Sequence, residues 1–106
     1  MGVLVIVCYR PRPGMEEALL DAVRDHLPVL RAEQLVTDRP ATAMRGEGGT
    51  IVEVFEWRSQ EAIGRGHELP AVQALWERFE RACEYAPLAD LPEAAQLFPS
   101  FEPVEL

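Results

Sequence analysis

Two runs of this chain, Val3–Tyr9 and Ile51–Trp57, are apolar at nearly every position. A strand with one wet face alternates apolar and polar residues; a continuous β-branched run such as VLVIVCY belongs to a strand covered on both faces. The second run sets Ile51, Glu53, Phe55 and Trp57 on one face and Val52, Val54 and Glu56 on the other. Helices can cover one face of such a sheet. Leaving several Val, Ile and Phe side chains of the other face in water would cost roughly 1.5–3 kcal/mol each. A small domain is stable by only about 5–15 kcal/mol. The second face therefore needs a cover, and the expected one is a second copy of the chain.

The remaining segments predict what lies around these strands. Arg10-Pro-Arg-Pro-Gly14 breaks the first run. Met15, Leu19, Ala22, Val23, His26, Leu27 and Leu30 then recur at helical spacing, which predicts a helix from Met15 to about Glu33 with Glu16 and Glu17 in its first turn and a kink at Pro28. Val36–Arg45 reads as a strand that Pro40 relegates to an edge, joined by Gly46-Glu-Gly-Gly49 into a hairpin with Ile51–Trp57. Ser59 can cap a short helix to Ile63, interrupted by Gly64-Arg-Gly66. Pro70 suits the first turn of a helix running to Tyr85, with Val72, Leu75, Trp76, Phe79 and Cys83 on one face. Asp90-Leu-Pro-Glu93 has capping-box spacing for another short helix, and Ser100–Leu106 reads as a last edge strand containing Pro103. The expected order is β-α-β-β-α-β. In a ferredoxin-like α+β sheet of that order the first and third strands are central, which matches the two apolar runs here.

Composition narrows the function. With 106 residues, 48% of them apolar, the chain (1–106) reads as a single globular domain with one core. A net charge of −8 disfavours nucleic acid and an anionic membrane surface. All ten basic residues are arginine, so no lysine is present to form a Schiff base or anchor pyridoxal phosphate. There is no asparagine to accept a glycan or orient an oxyanion. Cys8 and Cys83 sit in apolar periodic segments and read as buried free thiols of a cytoplasmic protein. The opening apolar run lacks the length and basic flank of a signal peptide, and no run reaches transmembrane length. The spacing of His and Cys supports no metal site, and Gly46-Glu-Gly-Gly49 is no phosphate loop. No cofactor is expected.

Pro13-Gly14 before the first helix, Val54-Phe55-Glu56-Trp57 followed by Ser59 and Glu61-Ala62, and His67 ahead of the Pro70–Phe79 helix resemble the dimeric α/β-barrel superfamily, which includes antibiotic-biosynthesis monooxygenase-like and stress-responsive barrel proteins. The resemblance covers nearly the whole chain. It implies two long helices on one face of an antiparallel sheet, a homodimer whose sheets face each other, and a pocket between sheet and helices in each subunit. The haem-degrading branch of that superfamily fits poorly: the positions of its Asn, Trp and His are held here approximately by Val7, Gly66 and Trp76.

His67 matches a histidine common in the monooxygenase-like branch; it can take a proton from a phenol or enol, or simply cap a helix at the surface. Glu53, mid-strand between aromatic neighbours, can act as acid or base, although an ion pair with an arginine such as Arg45 across the hairpin is the simpler role. His26 lies on the apolar face of the first helix and reads first as a hydrogen-bonded core histidine, second as a pocket residue. Trp57, Phe55, Trp76, Phe79 and Tyr9 read as core that can also line a site for a flat aromatic ligand. Arg10, Arg12 and Arg65 flank turns and read as solvated charge, with anion binding as the alternative. The expected function is binding of a small apolar or aromatic molecule. One alternative is a cofactor-independent monooxygenase in which His67, together with Glu53, deprotonates a phenolic or enolic substrate; another is a non-catalytic interaction module with a filled core.

Overall fold

A computed structural model describes residues 2–106. It contains β1 (Val3–Pro11), α1 (Glu16–Ala32), β2 (Thr42–Arg45), β3 (Ile51–Trp57), α2 (Gln60–Gly66), α3 (Pro70–Ala82), β4 (Cys83–Ala86) and β5 (Glu102–Val104). The five strands form one antiparallel sheet in the order β4-β1-β3-β2-β5. The two apolar runs pair side by side near its middle, with Val7 opposite Glu53 and Tyr9 opposite Ile51.

α1 buries Leu19, Leu20, Ala22, Val23, His26, Leu27 and Leu30 and carries Pro28 within its span. It ends where Gln34 takes the left-handed conformation (φ 60°) and the Leu35 N–H closes back on the Leu30 carbonyl at 3.0 Å. Ser59 caps α2 as expected, its Oγ accepting the Ala62 N–H at 3.1 Å. α3 starts at Pro70 and buries Val72, Leu75, Phe79 and Ala82 against the sheet and α1.

Several boundaries differ from the sequence expectation. The helix predicted to reach Tyr85 stops at Ala82, because Cys83–Ala86 extends and pairs with Cys8–Pro11 of β1. This strand, and not the C-terminal one, flanks β1. The predicted last strand is an additional one beyond β2, so Pro103 lies on an edge while β2 is covered on both sides. Pro40 precedes β2, and Val36 reaches the sheet only through a single bridge to Trp57. Gly64-Arg-Gly66 continues α2 instead of interrupting it. The Gly-rich hairpin connection forms a 3-10 turn at Glu47–Gly49, with positive φ at Gly48 and Gly49. The capping box expected at Asp90 does not form: Pro92–Ala95 is a 3-10 turn without a side-chain cap, and Glu93 turns inward to accept the Glu47 N–H.

The helices cover the face of the sheet that carries Ile51, Glu53, Phe55 and Trp57. On the other face the chain supplies part of its own cover. Leu91 and the half-buried Phe101 pack over Cys8, Val52, Met44 and Ala86. The rest stays open, with Leu4 at 58% and Ile6 at 52% exposure beside the half-buried Val54.

Candidate functional site

Glu53 cannot avoid the interior. The two-residue period of β3 sets it between Ile51 and Phe55 on the helix-covered face, and its side chain is 0% exposed. A carboxylate there needs hydrogen-bond donors. β1 brings Tyr9 and α1 brings His26, itself 4% exposed. The Tyr9 hydroxyl donates to Glu53 Oε1 at 2.7 Å, and His26 Nδ1 lies 2.7 Å from the same oxygen. The ion pair expected with Arg45 is not made; Arg45 bonds Glu16 at 3.3 Å. Burial, followed by the charge and hydrogen bond of Glu53, holds the Tyr9 phenol well above its ordinary pKa, so it remains a donor. A neutral imidazole facing an ionised Glu53 carries its hydrogen on Nδ1 and donates it to Oε1; in that form Nε2 carries a lone pair, and it has no protein partner among the described residues. Rings hold the imidazole in place: Phe55 and Phe79 approach it edge-on, with centroids at 4.9 and 5.1 Å. Tyr9 stacks on Phe79 at 4.8 Å.

A cleft of about 500 Å³ opens above this cluster, between α2 and α3 on one side and the sheet on the other. Tyr9, His26, Phe55 and Phe79 line it, and so do Trp57, Trp76 and His67. Of the eight residues expected to act in catalysis or to contact a ligand, seven line the cleft and Glu53 does not; it is held by Tyr9 and His26, which do. Arg10 and Arg12 lie instead beside Glu84 at a separate, smaller cleft. His67 is exposed, follows the last turn of α2 and lies edge-on to Trp76 at 4.8 Å. It makes no hydrogen bond to Glu53; the imidazole that does is His26. His26 is thus both the hydrogen-bonded core histidine of the sequence reading and a cavity residue.

Tyr85 and Glu80 also line the cleft and were not anticipated. Tyr85 belongs to β4 and stands opposite Tyr9; a helix continued to that position hides this pairing. Burial, with Cys83 and Glu80 adding to it, pushes its phenol up to about 12. A second cleft of about 530 Å³ runs along α1 beside Arg24 and Arg31. No buried titratable group among the described residues lines it. Among the described residues no cluster of His, Cys, Asp or Glu is arranged to hold a metal ion, and no helix is long and apolar enough to cross a membrane.

No protein-family model matches this sequence, and no curated protein matches it. The solved structure of Rv0793 from Mycobacterium tuberculosis is similar in fold, with a TM-score of 0.63 over 90% of this chain and 100% of that one, at 24% identity. At that identity the likeness establishes a ferredoxin-like type of α+β fold and nothing about activity.

Proposed function

We propose that the cleft binds a small, flat, apolar molecule bearing an acidic hydroxyl, such as a phenol or an enol, and that His26 takes its proton. One observation carries the reading: His26 lines the apolar cavity with its Nδ1 2.7 Å from Glu53 Oε1, so a neutral imidazole that donates to Glu53 keeps its Nε2 lone pair for the ligand. Proton transfer to Nε2 gives an imidazolium between two anions, Glu53 and the ligand oxygen. In a site of low polarity that alternation of charge favours the ionised ligand. The aromatic walls, Phe55, Trp57, Trp76 and Phe79, match a planar ring. A non-catalytic module with a filled core would have no cavity beside Trp57, and the cleft speaks against that alternative.

The resemblance to monooxygenase-like barrels extends the proposal to a cofactor-independent oxygenase. An electron-rich bound anion would react with dioxygen so that a ring methylene becomes a carbonyl, one oxygen atom entering the product and the other leaving as water. In that scheme His26 holds the proton released from the substrate. The proposal also includes a homodimer through the open sheet face, because Leu4 and Ile6 are more than half exposed on strand β1, where a covered face is expected.

Titration with a chromophoric nitrophenol tests the acid–base reading. Bound ligand should show the phenolate band at a pH where free ligand is protonated, and His26→Gln should abolish that band. Saturable binding of the neutral form alone would refute it. Oxygen uptake with anthrones, lost in His26→Gln, tests the oxygenase extension.

A further inference from the structure

We infer that Tyr9 is a positioning residue for His26: its hydroxyl, donated to the Glu53 oxygen that also takes the Nδ1 proton, keeps the Glu53–His26 pair one proton short, so that Nε2 presents a lone pair to the cavity. The inference deepens the proposed function and rests on it for its meaning, although its test needs no ligand.

The argument begins with how little holds the charge on Glu53. Its Oε1 takes two hydrogen bonds, from Tyr9 and His26, each at 2.7 Å. Its Oε2 is buried and has no partner among the described residues. No arginine bonds it; Arg45 turns to Glu16. Donors stabilise the charged form of a buried carboxylate, and here there are two of them. Without the Tyr9 hydroxyl, one neutral N–H would face the whole charge, and the pair would take up a proton at higher pH.

That proton has two places to rest, and both have the same consequence. An imidazolium facing a carboxylate carries hydrogen on both ring nitrogens. A neutral imidazole facing a protonated Glu53 accepts at Nδ1 and so carries its hydrogen on Nε2. The two forms titrate as one unit, and in either the lone pair at Nε2 is gone. Tyr9 therefore governs whether the base exists, although it need not touch the substrate's acidic proton.

The surroundings do not duplicate this role. From β4, Tyr85 faces Tyr9 at a centroid distance of 5.8 Å, and the buried Cys83 thiol is pushed up to about 11 and stays neutral. From α3, Glu80 reaches the cleft, and His67 follows α2 at its edge. From β2, the residue opposite Glu53 is Ala43. None of them donates a hydrogen bond to Glu53. Their charges act alike on the parent and on a Tyr9→Phe protein, so the difference between the two isolates the hydroxyl. Tyr9→Phe also keeps the ring that stacks on Phe79.

The chain has two histidines, so in a His67→Gln background nitrogen-15 NMR reads a single imidazole. The parent should show hydrogen on Nδ1 and a bare Nε2 at neutral pH. In Tyr9→Phe the midpoint for protonating Nε2 should rise by about one to two pH units, roughly ten- to a hundredfold in proton affinity, the worth of a hydrogen bond to a charged group. A midpoint unchanged within a few tenths of a unit would overturn the inference. Should Tyr9→Phe fail to fold, fluorotyrosine incorporation in Tyr85→Phe makes Tyr9 a stronger donor, and the midpoint must then fall; no change would again overturn it. If the shift appears but no phenol is ionised on binding, the role of Tyr9 stands and the proposed function falls. If phenols are ionised but the shift is absent, the reverse holds.

Discussion

The Tyr9–Glu53–His26 cluster should be a burden on the fold rather than its anchor. Glu53 is fully buried with no arginine partner, so its desolvation costs several kcal/mol. Two hydrogen bonds to the charge return roughly 1.5–3 kcal/mol each, which about balances that cost. Glu53→Ala removes the acceptor and leaves the Tyr9 hydroxyl and the His26 Nδ1–H buried without partners, at about 1–3 kcal/mol each. With the vacated volume added, the loss should be about 3–5 kcal/mol. Replacing all three together (Tyr9→Phe, His26→Leu and Glu53→Leu) removes every polar group and keeps the volume. That protein should be as stable as the parent or more stable by about 1–4 kcal/mol. Urea unfolding at fixed protein concentration measures both. With a slope of roughly 1–3 kcal/mol per molar, the single variant should lose more than about 1 M in midpoint. A triple variant as unstable as Glu53→Ala would refute the reasoning, because the cluster would then be holding the fold together and its presence would need no chemical explanation.

Two further outcomes are expected. Ile6→Asp, placed on the open sheet face, should convert a dimer into a folded monomer by light scattering at micromolar concentration; a parent already monomeric at that concentration would remove the second copy from the proposal. Burial raises the Cys8 thiol above its ordinary range and pushes Cys83 up to about 11, so both should resist a disulfide reagent at neutral pH until urea unfolds the chain. Immediate labelling of either in the native protein would contradict their placement.

The accurate parts of the sequence reading are those governed by neighbours along the chain. The span of α1 follows from Leu19, Val23, Leu27 and Leu30, the start of α2 from Ser59 and the start of α3 from Pro70. The errors arise where distant pairing outweighs local pattern. Cys83 satisfies the helical spacing of α3 and still takes a strand position, because Cys83–Ala86 pairs as a whole with Cys8–Pro11 of β1. Glu93 has the spacing of a capping residue, yet it is drawn inward to the Glu47 N–H, beside a Gly46 whose missing side chain leaves room for the carboxylate. The cover of the second sheet face was assigned wholly to another copy, because nothing local shows that Leu91 folds back over Val52.

The candidate site divides along the same line. That Glu53 lies inside, that His26 faces the core and that Tyr9 ends a buried strand are all legible from periods of two and 3.6 residues, since backbone geometry alone decides which way a side chain points. Which of these side chains meet is a different matter. Tyr9 and Glu53 are 44 residues apart and His26 and Glu53 are 27 apart. Their convergence on one oxygen depends on the register of β1 against β3 and on how α1 lies across the sheet, and packing of the whole core decides both. The sequence therefore marked the residues able to do chemistry, and only the tertiary structure paired Glu53 with His26 in place of Arg45 or His67.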